Sequence, residues 1–82
     1  MNLTVLTPER EIYSGAITSV KVPGVTGQFE ILRGHAPIVS SLVAGDVRIL
    51  PEGGDTKTFS ISRGFVEVLR DEVSLLVQGV EE

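Results

Sequence analysis

The chain has 82 residues, and its seven basic and eleven acidic side chains give a formal charge of -4. This length suits one domain, and the acidic balance disfavours a nucleic-acid backbone or an anionic lipid surface as the main partner. Cysteine is absent, which excludes disulfides, thiolate metal sites and a cysteine nucleophile.

The N-terminus and the apolar runs predict no membrane insertion. No apolar run approaches the roughly 20 residues that span a bilayer, and the segment Met1-Asn2-Leu3-Thr4 lacks the layout of a signal peptide. We therefore expect a cytosolic domain without direct lipid insertion, which another protein could still hold at a membrane.

Short apolar alternations, separated by turn residues, predict a series of β-strands. Valine and isoleucine number 18 against three alanines, and side chains branched at Cβ suit a pleated, half-buried surface. The alternating inward residues are Leu3/Val5, Val20/Val22, Phe29/Ile31, Val47/Ile49, Phe59/Ile61, Val66/Val68 and Val73/Leu75/Val77. The residues between them, which we expect to face water, are Thr4, Lys21, Glu30, Arg48, Ser60, Glu67 and Ser74. The predicted turns or bulges are Thr7-Pro8, Ser14-Gly15, Pro23-Gly24, Gly34, Gly45-Asp46, the segment 51–55 and Arg63-Gly64. Residues 1–82 are therefore predicted to form one all-β domain, a sandwich or barrel.

The segment 65–78 allows a second interpretation, because it contains neither Gly nor Pro. Phe65, Leu69, Val73 and Leu76 fit a single helical stripe. We favour a hairpin, since the alternation holds on both sides of Arg70-Asp71 and the valine content is high.

Six leucines fall outside the inward register of the predicted strands. They are Leu6, Leu32, Leu42, Leu50, Leu69 and Leu76. A bulge or a corner of the sandwich would explain any one of them. Together they could form an apolar outer patch, and such patches often mark partner surfaces.

The chain lacks the combinations of residues that catalysis or metal binding requires. Its single histidine, His35, stands in a predicted turn before Ala36-Pro37, whereas nucleophilic catalysis needs a base, a nucleophile and an orienting group together. No His, Cys or Asp cluster has the spacing of metal ligands. The glycine-rich segment 23–29 lacks the Lys-Ser/Thr pair and the following helix of a phosphate loop. We predict no catalytic residue, no metal site and no cofactor.

Two kinds of free-standing binding module remain as alternatives. Biotinyl and lipoyl carrier domains are small acidic β units with a modifiable lysine, for which Lys21 and Lys57 are the candidates here. Arg63-Gly64-Phe65 begins like an RNA-binding strand, but Val66 and Val68 follow where stacking aromatics would be needed. An OB-like single-strand binder is disfavoured for the same lack of aromatics.

Two segments resemble the ε subunit family of the F-type ATP synthases. The first is 22–40, with Gly34-His35-Ala36-Pro37 at its specific centre, followed by Gly45-Asp46-Val47-Arg48-Ile49. The second is Arg63-Gly64-Phe65-Val66-Glu67-Val68, followed by Val73-Ser74-Leu75-Leu76. The opening residues 3–9 resemble the first strand of the family, so the resemblance spans the chain. Glu30 and Arg63 depart from it, because the family often has glycine at both positions.

The resemblance implies a flattened β-sandwich of two antiparallel sheets with about ten short strands. It also implies a non-catalytic subunit of the rotary central stalk, beside the γ subunit and on the c-ring, with α and β as indirect partners. The complex would lie peripherally on the cytoplasmic face of the bacterial inner membrane. Carried over by motif, the γ-facing residues would be Thr7, His35, Ala36, Ser40 and Leu42. The residues that touch the c-ring would be Val25, Thr26, Gly27 and Gln28.

Family members commonly continue into a pair of C-terminal helices that regulates ATP hydrolysis. Here Gln78-Gly79-Val80-Glu81-Glu82 follows the last predicted strand without a helical segment. We expect the subunit to lack this helical hairpin. Such a subunit would couple rotation but could not block hydrolysis by extending a helix.

Overall fold

The computed structural model describes residues 1–82 and contains eight β-strands and no helix. The strands are β1 (Asn2–Leu6), β2 (Glu11–Gly24), β3 (Gly27–Leu32), β4 (Ile38–Leu42), β5 (Gly45–Pro51), β6 (Lys57–Ile61), β7 (Arg63–Leu69) and β8 (Glu72–Gln78). The all-β prediction is confirmed, although the strands number eight rather than about ten. The break predicted at Ser14-Gly15 is wrong, because both residues lie inside β2, where Gly15 adopts no positive φ.

The long strand β2 joins two layers. Its first half pairs with β1, and its second half pairs with β3 and β5. The register shifts between Ile17 and Ser19, where β2 passes from one layer to the other. We call the layer β1-β8-β7-β4 sheet one and the layer β3-β2-β5-β6 sheet two. All strand pairs are antiparallel, as predicted, except β1 and β8, which run parallel.

The two sheets pack their inner faces around a single core of 16 buried apolar residues. Every predicted inward residue is buried except Phe29, which is half-buried against the core. Strict alternation produces this result, because successive side chains of a strand point to opposite faces. The prediction for Leu42 is wrong: its side chain is only 4% exposed and belongs to the core rather than to an outer patch.

The hairpin interpretation of 65–78 is confirmed, since β7 and β8 pair along their whole length. Arg70 and Asp71 form the two-residue turn between them, with φ values of 50 and 62. Left-handed conformations at both positions match the right-handed twist of the flanking strands, but they usually require Asn or Gly. The turn is therefore strained by its side chains.

The C-terminal segment closes the free edge of β6. Gly79 turns the chain with a φ of 68, and a Cβ atom there would overlap the Ser62 hydroxyl. Beyond this turn the backbones of Ser60 and Glu81 exchange two hydrogen bonds of 2.8 and 2.9 Å. The chain has no helix that is long and apolar enough to cross a membrane.

Candidate partner-binding face

The outer side of sheet one carries a row of apolar side chains. The register places Leu6 beside Leu76, Leu76 beside Phe65, and Phe65 beside Ser41. Phe65 is 55% exposed and Leu76 is 52% exposed. Leu69 and Val39 extend the surface toward the other end of the sheet, and Val39 is 72% exposed. We call Leu6, Val39, Phe65, Leu69 and Leu76 the apolar face.

A groove of about 600 Å³ lies at one end of the apolar face. Leu6, Phe65 and Leu76 contribute its apolar wall. Arg63 and Gln78 contribute polar groups, and the Arg63 Nε donates a hydrogen bond of 2.6 Å to the Gln78 Oε1. An apolar groove with a polar margin is the arrangement that protein-binding surfaces commonly show.

The alternation along β8 shows that this apolar surface exceeds what the fold needs. Leu75 is fully buried and supplies the core, yet the next residue, Leu76, is also leucine and points outward. An antiparallel sheet with one solvated face would normally place a polar side chain there. Contiguous exposed apolar area is uncommon on isolated soluble domains, and it marks surfaces that a partner covers.

The structure places the predicted γ-facing residues at two ends of sheet one. Thr7 and Leu42 line the groove, next to Leu6. His35 and Ala36 lie in the loop 33–37 at the opposite end. There the Gly34 amide donates a hydrogen bond to Asp71 in the β7–β8 turn.

Three of these predicted residues, Thr7, Ser40 and Leu42, have local contacts or an inward orientation that limit what they present to a partner. Ser40 pairs with the buried Val66, so its half-buried side chain points inward like that of Leu42. The Thr7 hydroxyl accepts hydrogen bonds from the Glu9 and Arg10 amides at 3.2 and 3.0 Å. The outward positions of β4 belong to Val39 and Ser41, which alternate with the inward residues Ser40 and Leu42.

His35 is held by its own loop. Its backbone amide donates to the Leu32 carbonyl at 3.1 Å, and its Nδ1 lies 2.7 Å from the Ala36 carbonyl oxygen. This contact is a hydrogen bond in the tautomer that carries its proton on Nδ1, because a carbonyl oxygen can only accept. The hydrogen-bond partner of the ring is thus a backbone carbonyl of its own loop.

The predicted c-ring residues lie at the exposed tip of the β2–β3 hairpin, where Val25 and Thr26 form the turn and Gly27 and Gln28 begin β3. Gly27 has a φ of 129, and a Cβ atom there would meet no neighbouring atom. This turn lies at the same end as Leu42, because Gly24 pairs with Leu42 and the Val43 amide donates to the Pro23 carbonyl. Their contact with a c-ring stays a prediction, as does contact of the five γ-facing residues with γ.

Two major members of the apolar face, Phe65 and Val39, were not predicted as surface residues. The pattern contained the signal for Phe65, since the inward alternation of Val66 and Val68 places both Phe65 and Leu69 outward. Val39 carried no comparable signal, because β4 (Ile38–Leu42) has no clear period of two in its composition.

Clusters of metal-binding groups are absent, since no group of three or more His, Cys, Asp or Glu residues lies close together. Lys21 lies in the middle of β2, opposite Glu30 on β3 and Arg48 on β5. Lys57 begins β6. A carrier lysine belongs at the tip of a hairpin, and neither lysine is in a turn.

A small β-sandwich with an apolar groove and adjoining exposed apolar side chains on one outer face has the architecture of a protein-interaction domain. The whole chain, residues 1–82, matches the family model of the ATP synthase delta/epsilon chain β-sandwich domain. The chain belongs to this family, which confirms the resemblance found in its sequence motifs.

Curated relatives support the same assignment. The ATP synthase epsilon chain of Chlorobaculum tepidum is 40% identical over 78 residues, which cover 95% of this chain and 89% of that protein. The ATP synthase epsilon chain of Magnetococcus marinus is 46% identical over 77 residues, which cover 94% of this chain and 56% of that protein. The chain thus spans nearly all of one relative and little more than half of the other.

Solved structures share the fold. A chain from the central stalk and c-ring of the Tetrahymena thermophila mitochondrial ATP synthase superposes with a TM-score of 0.84 at 19% identity, over 100% of this chain and 66% of that chain. A chain from the Euglena gracilis mitochondrial ATP synthase, in a structure of OSCP, F1 and the c-ring, gives a TM-score of 0.85 at 23% identity, over 96% and 51%. At these identities the likeness concerns the fold alone.

Proposed function

We propose that this chain is a central-stalk subunit of an F-type ATP synthase, where it links the γ subunit to the c-ring. In this role it helps couple transmembrane proton or sodium flow to rotary ATP synthesis. It is itself non-catalytic, and the reaction takes place in the nucleotide sites of the α and β subunits. The observation that carries the proposal is the apolar face on a β-sandwich of the epsilon family.

The γ subunit is the occupant that we assign to the apolar face. Phe65 is a large aromatic anchor on the inner strand β7, at the groove end of sheet one, and Leu76 on β8 and then Leu6 on β1 follow it in one row. Energetically dominant interface residues are typically large, desolvated side chains surrounded by polar groups. Arg63, Gln78 and Thr7 supply polar groups at the groove end of the face.

The c-ring contact is assigned to the tip of the β2–β3 hairpin, residues 25–28. The tip is exposed, and its polar side chains, Thr26 and Gln28, suit contact with the polar loops of a c-ring better than contact with lipid. Because the turn lies at the same end of the domain as the groove, one subunit could touch both partners there. The domain would then be peripheral on the cytoplasmic face of the bacterial membrane, held by proteins.

A compact, closely packed sandwich suits a coupling element. The domain measures 27 × 25 × 20 Å, and β2 runs through both sheets, so a force on one layer reaches the other through a continuous strand. Close-packed protein interiors have low compressibility and transmit strain. Family membership favours this interpretation over a biotinyl, lipoyl or OB-like module.

The proposal is tested with two leucines that are equally exposed on opposite outer faces. Leu76 on sheet one and Leu32 on sheet two are 52% and 50% exposed. Leu76→Glu buries a charge in the proposed interface, which should cost about 2 kcal/mol or more and weaken binding to purified γ roughly thirtyfold. Leu32→Glu, the matched control, should leave the dissociation constant unchanged, as measured by calorimetry.

Equal behaviour of the two variants, either both binding like wild type or both failing, would contradict the assignment of γ to sheet one. Circular dichroism melting of both variants confirms that each is folded before binding is measured. Co-purification of the chain with γ and the c-ring from native membranes tests the proposed complex itself.

A further inference from the structure

We propose that Asp71 is a positioning residue, whose carboxylate holds the loop 33–37 in the conformation that the partner recognises. The inference deepens the proposed function and rests on it, because this loop carries His35 and Ala36, two of the predicted partner contacts. The carboxylate stands in the turn between β7 and β8, where both residues have a positive φ.

Asp71 makes the hydrogen bond that joins the loop to a segment distant in sequence. Its Oδ1 accepts from the Gly34 amide at 2.8 Å across 37 positions of sequence. The other two hydrogen bonds of the loop are local, from the His35 amide to the Leu32 carbonyl and between the His35 ring and the Ala36 carbonyl. A bond from an amide to an ionised carboxylate is shorter and roughly twice as strong as one between neutral groups.

The backbone that carries the carboxylate is held by hydrogen bonds. The Asp71 carbonyl accepts a hydrogen bond of 2.9 Å from the Asn2 amide, which ties the turn to the start of β1. Asp71 is only partly exposed, and β7 and β8 pair up to the turn, with Leu69 opposite Glu72. The acceptor therefore projects toward Gly34 from an ordered part of the sheet.

The backbone of the turn indicates why aspartate matters at this position. With φ values of 50 and 62, both Arg70 and Asp71 adopt the left-handed conformation that glycine accommodates without steric cost. Glycine at position 71 would relieve the strain but could not bind Gly34. Strain that persists at an ordered position often accompanies a functional constraint.

Gly34 is the complementary half of the contact. Its φ of 83 is also left-handed, and it occupies the third position of the turn from Leu32 to His35 that the His35 amide closes. This conformation directs the Gly34 amide out of the turn, where the Asp71 carboxylate accepts it. The loop is exposed at Arg33, Ala36 and Pro37, and loss of this bond would leave it with two local hydrogen bonds, both made by His35.

The test compares Asp71→Gly with Asp71→Asn and with Arg70→Gly. Asp71→Gly removes the acceptor while suiting the backbone. Asp71→Asn keeps an acceptor oxygen, and Arg70→Gly relieves the same strain in the same turn without touching the carboxylate. All three variants are expected to fold, because Gly and Asn both tolerate left-handed positions.

The first readout is the loop of the isolated chain in solution. In Asp71→Gly the Gly34 amide proton should shift upfield, and the ¹⁵N heteronuclear NOE values of residues 33–36 should fall. Asp71→Asn should restore both signals in part, and Arg70→Gly should match wild type. If Asp71→Gly leaves the Gly34 amide and the NOE values unchanged, Asp71 does not hold the loop.

The second readout is affinity for purified γ. Asp71→Gly should weaken binding by about tenfold, because a disordered loop must then be ordered on association, while Arg70→Gly should bind like wild type. A loop that loosens without a loss of affinity would overturn the positioning role and leave the proposed function intact. Failure of the wild-type chain to bind γ would instead remove the proposed function and, with it, the role of Asp71 in recognition.

Discussion

The two outer faces of the sandwich differ in how their apolar side chains are arranged. On sheet one, Leu6, Leu76 and Phe65 stand side by side on three neighbouring strands. On sheet two, Leu32 and Leu50 are also exposed, but both pair with Ser19, which lies between them. Both faces therefore expose leucines, and they differ mainly in whether the exposed apolar side chains adjoin one another.

Charge marks the rest of sheet two. Glu30, Lys21, Arg48 and Thr58 form one row across β3, β2, β5 and β6. The equivalent central row of sheet one contains Thr4, Ser74, Glu67 and Val39, with one charged residue. Sheet two thus resembles an ordinary solvated face, whereas sheet one has a surface that would be desolvated by a partner.

The largest expected effect is on the free energy of unfolding, which substitutions on the inner faces should lower far more than substitutions on the outer faces. Leu75→Ala in sheet one and Ile49→Ala in sheet two should each lower the free energy of unfolding by about 2–5 kcal/mol, since both side chains are buried. Their outward neighbours are the controls: Leu76→Ala and Leu50→Ala should each stay within about 1 kcal/mol of wild type. Urea unfolding followed by circular dichroism measures all four variants. If Leu76→Ala costs as much as Leu75→Ala, the apolar face is part of the stability core and not a surface kept for a partner.

The sequence predicted the core well because strand alternation is a local property. Pairs such as Val66/Val68 and Val73/Leu75 need only their own neighbours to reveal which side is inward. Leu42 was misassigned because β4 is short and its register depends on pairing with β7. The parallel contact between β1 and β8 joins the two ends of the chain, and no local pattern encodes it.

The candidate site was predictable only in part, for the same reason. The outward positions of Leu6, Leu69 and Leu76 follow from local alternation, and all three side chains are exposed. The six leucines do not form one patch, because Leu42 is buried and Leu32 and Leu50 lie on sheet two. The separation of Thr7 and His35 to opposite ends of sheet one depends on tertiary pairing. No local pattern indicates that the Asp71 carboxylate accepts a hydrogen bond from Gly34, because the contact spans 37 positions.

A second, smaller effect tests how tightly the strands of sheet one are packed. A Cβ atom at Gly64 in β7 would lie 2.5 Å from the Leu76 carbonyl oxygen and 3.0 Å from the Val77 Cγ1. Gly64→Ala should therefore destabilise the domain by about 1–3 kcal/mol, because the obstacle is backbone rather than a mobile side chain.

Gly15 in β2 is the matched control, since its nearest neighbour is the Tyr13 hydroxyl oxygen at an ordinary 3.5 Å. Gly15→Ala should stabilise the chain by about 0.4–1 kcal/mol through the unfolded state. Thermal melting of the two variants measures the difference, and a Gly64→Ala variant as stable as wild type would mean that β7 and β8 can separate without cost.

The smallest expected effect concerns the charged row of sheet two. Lys21 and Arg48 lie directly opposite each other on β2 and β5, and like charges in this position destabilise a sheet. Arg48→Glu should convert the repulsion into attraction and raise the free energy of unfolding by about 0.2–1 kcal/mol. Arg33→Glu makes the same change of net charge in the exposed loop 33–37, where no cross-strand cation faces it, and should give no gain. The gain of Arg48→Glu should also shrink in about 1 M salt, where the screening length falls to roughly 3 Å. If the increase in the free energy of unfolding of Arg48→Glu persists in salt, its source is packing rather than charge. The charged row would then not act electrostatically on sheet two, and charge would not explain how the two outer faces differ.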